Sequence, residues 1–261
     1  MRTTDIPVMF IKKPNGGVHT ARNAAKREAR GKFIVGVDSD DELMPDACRI
    51  FINAWESISD DTKHLYRGVQ TLCVDEKGKL VGKTYPENAN LMRREDFLKS
   101  QKGHGERHNC VRADISKANL MPEPDGVKFV GEGIFWEKIE REYLIWSINE
   151  VTRIYHTEGL DHFVHKPKNL QWCKNNLWMT MHMLNNPASY YNGFIWYVKG
   201  IMRHSVLSSI ISRFDKDFVK HYPLRGLKNR LWSKILYLPS CLALPFYRLK
   251  HHMTSIMQLI P

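Results

Sequence analysis

The chain of 261 residues carries 39 Lys or Arg against 28 Asp or Glu, a formal net charge of +11, and is 43% hydrophobic and 11% aromatic. That apolar content excludes a disordered polymer, and no run approaches the ~20 uninterrupted apolar residues of a membrane-spanning helix. Five widely spaced cysteines without a CxxC pair point to neither a zinc site nor a disulfide framework, and they suit a reducing cytoplasm. The opening MRTTDIPVMF has no long apolar core and no small-residue cleavage site, so it does not read as a secretory signal. Charge is unevenly spread: Lys199 to Pro261 holds 11 Lys/Arg and 2 Asp, a net +9, which leaves +2 for the rest.

In chain order, Ile6 to Ile11 reads as a strand leading into the Gly16-Gly17 turn. An Ala-rich helix follows, with Thr20 at the N-cap position and Gly31 at its C-terminal end. Phe33, Ile34, Val35 and Val37 are continuous enough in hydrophobicity to predict a buried, parallel-type strand. Asp38, Asp40 and Asp41 then stand just past its carboxyl end, where open α/β sheets present ligands. Three carboxylates within four residues repel one another, and Mg2+ or Mn2+ bridging to substrate phosphates would offset that charge. The alternative is a solvated turn that caps the helix beginning near Pro45.

Apolar residues at Ile50, Phe51, Ala54, Trp55 and Ile58 predict a helix packed on a sheet. His64 to Val74 and Leu80 to Tyr85 read as strands joined by a turn at Asp75 to Gly78. Asn90 to Ser100 is predicted helical. The polar segment Gly103 to His108 is either an exposed loop or an acceptor contact, ahead of a strand over Asn109 to Ile115. Within Lys128 to Tyr143, a short apolar strand meets Gly131-Glu132-Gly133 and then a helix, so Glu132 sits near a helix N-terminus that favours its carboxylate form. Glu137, Glu140 and Glu142 read as surface charges paired with Lys138 and Arg141. Trp146 to Tyr155 alternates as a strand and runs into a loop carrying His156, His162 and His165. Helices are predicted over Leu170 to Leu184 and Tyr190 to Ile211. From Leu224 onward, cationic clusters alternate with Leu, Ile, Trp and Phe, a pattern suited to lying on an anionic leaflet. Nucleic acid would also suit the charge, but no nucleic-acid module is recognisable, so no nucleic-acid partner is expected.

Taken in order, Asn15, Gly16, Ala21-Arg22-Asn23, Gly31-Lys32-Phe33-Ile34, Asp38-Ser39-Asp40-Asp41 and Pro45 resemble the central signature of the family 2 glycosyltransferases with the GT-A fold. The resemblance implies an α/β architecture: a GT-A-like, Rossmann-like mixed sheet flanked by helices, here with a helical, basic C-terminal extension. Residues 1–168 would form the transferase core and 169–261 a membrane-associating region. It implies a donor site at Arg22, Asn23, Asp38, Asp40 and Asp41, with Asp38 and Asp40 holding Mn2+ or Mg2+. Some members of this fold also use a late His at the metal or diphosphate. Inverting transfer needs one carboxylate to take the proton of the acceptor hydroxyl, and Glu132 is the candidate; many members carry Glu-Asp there and use the Asp, where this chain has Gly133. The implied partners are a nucleotide-sugar, of UDP type, and a polysaccharide or lipid-linked glycan acceptor at the inner face of the cell membrane. The family's nucleotide-binding strands have no counterpart ahead of Ile6, so an N-terminally shortened chain is expected. The alternative function is a catalytically inactive remnant serving as a binding or scaffold piece.

Overall fold

The computed structural model describes residues 6–87, 89–91, 105–156, 169–186 and 193–242. The chain divides into two compact units: residues 1–14, 21–121 and 132–162 in the first, and 15–20, 122–131 and 163–261 in the second. The expectations for residues 92–100 and for Gly103, His104, His162 and His165 fall outside the described residues.

The first unit is mixed α/β, as expected of a GT-A-like fold. Its strands are β1 (Phe33–Val35), β2 (Glu42–Leu43), β3 (Tyr66–Val74), β4 (Arg107–Arg112) and β5 (Leu144–Ile154), in the order β1-β4-β3-β5-β2. β3 is buried along almost its whole length, pairing antiparallel with β4 and parallel with β5. Helix α2 (Ala47–Glu56) lays Phe51 and Ala54 on Val69 and Cys110, with Phe33, Val35, Trp55, Trp146 and Ile148 around them, and a short helix α3 (Asp60–Lys63) leads into β3. This is the apolar face that the spacing at Phe51, Ala54 and Trp55 predicts.

The connection from β1 to β2 carries the acidic segment and constrains the sheet. These strands are consecutive in the chain yet stand at opposite ends of the strand order, joined by residues 36–41. Four strand spacings amount to about 19 Å. Seven fully extended steps reach about 25 Å. Part of that reach is folded into a turn closed by the Asp41 N–H on the Asp38 carbonyl at 3.1 Å, so the connection has little slack and favours a sheet curled to bring its ends closer. The carboxylates therefore belong to the connection between the sheet's two end strands.

Several local expectations change. β1 is a half-buried strand at the end of the sheet order, antiparallel to β4, not a buried parallel one. Helix α1 (Val18–Glu28) begins two residues before Thr20, whose hydroxyl turns back onto the Gly17 carbonyl at 2.9 Å, so Thr20 is not the N-cap. α1 ends at Glu28, ahead of Gly31. Gly17 does need its freedom: its φ is +98°, and a Cβ there would meet the Lys128 carbonyl oxygen at 2.0 Å. Leu80 makes a single antiparallel bridge to Val74 in place of a returning strand. β4 ends at Arg112 and gives way to a short helix α4 (Ala113–Ala118) where a strand over 109–115 is expected. No strand forms at Phe129-Val130, although the helix beyond it does, as α5 (Gly133–Ile139).

The second unit is helical over α6 (Leu170–Asn185), α7 (Gly193–Ile211), α8 (Lys216–His221) and α9 (Leu227–Ile235). Asn169 caps α6 by accepting from the Trp172 N–H, and Asp215 caps α8 by accepting from Phe218. Leu184, Ile201 and Leu224 form its apolar centre, with Met181, Tyr197, Trp232 and Leu236 against them. No described helix is long and apolar enough to cross a membrane.

Candidate active site

Two of the side chains singled out from the sequence, Asp38 and Glu132, converge on a third, Arg22. Its Nη2 donates to both oxygens of Asp38, at 2.6 and 3.0 Å, and its Nη1 donates to Glu132 Oε1. All three groups are partly open to solvent. Arg22 projects from α1, Asp38 opens the acidic turn after β1, and Glu132 is the residue before α5. An arginine fork suits this position because two carboxylates close enough to share one guanidinium repel each other in its absence. The second Glu132 oxygen accepts from the Trp136 indole N–H at 3.2 Å, so both oxygens are oriented.

α5 is itself anchored. Arg67 on β3, fully buried, pairs with Glu140 at the end of α5 at 2.9 Å and with the Asn109 side chain at 2.9 Å, and it stacks on the Trp136 ring. Glu140 is thus a buried partner of the sheet, a correction to its reading as a surface charge. Glu137 does pair with Arg141, at 2.6 Å.

The turn's other carboxylates differ sharply. Asp40 is exposed. The Asp41 side chain is only 2% exposed; it faces Arg153 at 3.5 Å and accepts from the His156 N–H at 3.2 Å. Burial pushes its carboxyl above the ordinary range, against the pull of Arg153 and the amide. Arg153 also reaches Glu106 at 3.1 Å, and the ring of His156 meets Glu42 at 2.9 Å. Asp41 accordingly ties the turn to the end of β5.

Asn23 stands behind the site. It is fully buried, its amide donating to the Met121 carbonyl at 2.8 Å and accepting from the Met121 N–H at 2.9 Å. That pair fixes the helix from which Arg22 projects.

Sequence reasoning passed over Lys26, Trp136, Arg67 and Arg153. Lys26 lies one turn beyond Arg22 on α1, with its Nζ 3.4 Å above the Phe135 ring. Burial, and then repulsion from Arg22, lowers it to about 8. The i, i+4 spacing from Arg22 was the available signal. Arg67 and Arg153 had none, because strand pairing brings them to the site from far along the chain.

Among the described residues, no three His, Cys, Asp or Glu side chains form a group that could hold a metal ion. Asp38, in the cluster, and Asp40, exposed two residues on in the same turn, are the hard oxygen donors that would hold such an ion. One or two carboxylates completed by substrate phosphates and water is a usual magnesium arrangement, so this donor set fits a cation shared with a diphosphate.

The profile of Glycosyl transferase family 2 matches residues 2–98. This stretch is similar to the family 2 glycosyltransferases. The glycosyltransferase match takes in Arg22, Asn23, Asp38, Asp40 and Asp41; Glu132 lies beyond it and joins the cluster through Arg22. The chain is also similar to the chondroitin synthase of Pasteurella multocida (strain Pm70) and to the hyaluronan synthase of Pasteurella multocida, each 44% identical over 55 residues. Those residues make up 21% of this chain and span 6% of either synthase's length. A glycosyltransferase of this family carries out sugar transfer, and the acidic turn falls within the matched stretch.

Proposed function

We propose that this chain transfers a sugar, with inversion, from a nucleotide-sugar of UDP type to a hydroxyl of a polysaccharide or lipid-linked glycan. The observation that carries the reading is the single arginine held between Asp38, inside the family 2 stretch, and Glu132, outside it. A guanidinium between two carboxylates is already placed to receive a diphosphate, which matches its fork in geometry and charge. As the diphosphate draws Arg22 toward itself, Glu132 Oε1 is released and faces the acceptor.

The proposed reaction then balances simply. The acceptor hydroxyl gives its proton to Glu132 while its oxygen bonds to the anomeric carbon from the face opposite the diphosphate. The bond from that carbon to the diphosphate oxygen breaks, and its electron pair leaves with the phosphate. Asp38 and Asp40 would hold Mn2+ or Mg2+, which supplies positive charge to the departing diphosphate. Trp136 keeps the Glu132 carboxylate aimed, and Asp41 keeps the turn seated on β5.

The two similar proteins are named as a chondroitin synthase and a hyaluronan synthase, which favours a glycan acceptor. The test is Glu132→Gln. A general base contributes about 10^2- to 10^4-fold, so turnover of a UDP-sugar should fall by that factor while UDP affinity stays within about threefold of the parent. Unchanged turnover would remove Glu132 from the role of base.

A further inference from the structure

The second unit carries an apolar face with a basic border. Along α9 and the helical residues 237–242, one side is packed inward. Asn229 donates to the Leu184 carbonyl at 2.8 Å and accepts from the Tyr197 hydroxyl at 2.7 Å, Trp232 and Leu236 lie on the Leu184–Ile201–Leu224 cluster, and Ser240 is buried. The opposite side presents Leu227, Leu231, Ile235, Leu238 and Leu242, each between 54% and 85% exposed. Their spacings of four, four, three and four keep them on one stripe, about 80° wide at ~100° per residue. Phe194, edge-on to Trp232 at 5.4 Å, and its neighbour Ile195 are also exposed and widen the face at the start of α7.

Lys228 flanks the stripe on one side, Lys234 and Arg230 flank it on the other, and Arg225 precedes it. No Asp or Glu follows Asp217. An aliphatic stripe bordered by cations is unfavourable in water and also unsuited to pairing with itself. Two copies joined face to face would set these cations against their own duplicates, with no acid on α9 or residues 237–242 to neutralise them. An anionic leaflet offers both missing complements, since its phosphates meet the cations and its acyl boundary takes the aliphatic side chains.

We propose that the Leu227-to-Leu242 stripe lies in the plane of an anionic lipid leaflet, with Phe194 and Ile195 beside it and the flanking lysines and arginines on the headgroups. The face owes nothing to Arg22, Asp38 or Glu132, so its fate is separate from that of the sugar chemistry.

Co-sedimentation of the full chain with phosphatidylcholine vesicles, with and without phosphatidylglycerol, tests this. The chain should pellet with the phosphatidylglycerol vesicles, and added salt should weaken the binding. Leu231→Asp with Leu238→Asp should lower the vesicle partition coefficient by about tenfold or more. Lys228→Gln with Lys234→Gln, which leaves the stripe intact, should lower it about fivefold per cation removed. Leu231, Leu238 and Lys234 are exposed and Lys228 gives up only its contact with the Tyr197 ring at 4.7 Å, so the thermal melt should move little, and either pair of variants suffices alone if the other fails to fold. Equal partition of parent and variants overturns the proposal. So does indifference of the parent to both vesicle types. Sedimentation velocity showing a dimer of the parent that the Leu substitutions dissolve would assign the face to a second copy instead.

Discussion

Arg22 balances the acidic cluster, and its removal has two separable consequences. Without it, the Asp38 and Glu132 carboxylates face each other with less neutralisation, a modest cost because all three groups are partly solvated. The larger consequence falls on the ligand, since hydrogen bonds between charged partners contribute about 1.5–3 kcal/mol. Arg22→Ala should therefore weaken UDP affinity by about tenfold to a hundredfold by calorimetry, while the melting temperature moves little. Unchanged affinity would mean that Arg22 serves only to hold the two carboxylates apart. At this scale the sequence was most legible where the residues are local. Arg22, Asp38 and Glu132 stand out as charges beside a helix or at the end of a strand. The amide pair between Asn23 and Met121 and the burial of Asp41 could not be read, since each depends on a partner about a hundred residues away.

Among elements, α5 matters most because Glu132 immediately precedes it, and its anchor is the buried pair of Arg67 and Glu140. Removing one partner of such a pair leaves a charge without its counter-ion at a cost of about 3–5 kcal/mol. Glu140→Gln should destabilise the chain by roughly that amount in urea unfolding and, because α5 loosens, should lower turnover as well. A loss below about 1 kcal/mol would show that the site relaxes around Arg67. The sequence disguised this pair. Glu140 is flanked by Lys138 and Arg141, which look like adequate partners, and Arg67 sits inside the hydrophobic run of β3. The longer elements were legible from periodicity, as with α2, β3, β5 and α6. β1 was not, because three apolar residues carry no information on whether their neighbour runs parallel or antiparallel. Residues 113–115 were misread for a related reason: Val111 and Ile115 fit a strand's continuation as well as a helix's first turn, and the turn to α4 is made by the backbone at Arg112.

At the scale of the molecule, the curl of the sheet does more for the site than any single contact. It lets residues 36–41 join the two ends of the strand order, so that the acidic turn is held by β1 at one end and, through Asp41 and Arg153, by β5 near the other. Charge divides along the chain in the same functional sense. The acidic turn lies in a segment of low net charge, and the surplus of cations gathers toward the C-terminal helices. The proposed donor site and the proposed lipid-facing surface thus draw on different parts of the sequence. Calorimetric titration of UDP into the full chain, with Mn2+ and again with EDTA, tests the donor site most directly. Saturable binding that requires Mn2+ and disappears in Asp40→Asn is the predicted result; no UDP binding, or an affinity that neither EDTA nor the substitution changes, would contradict it.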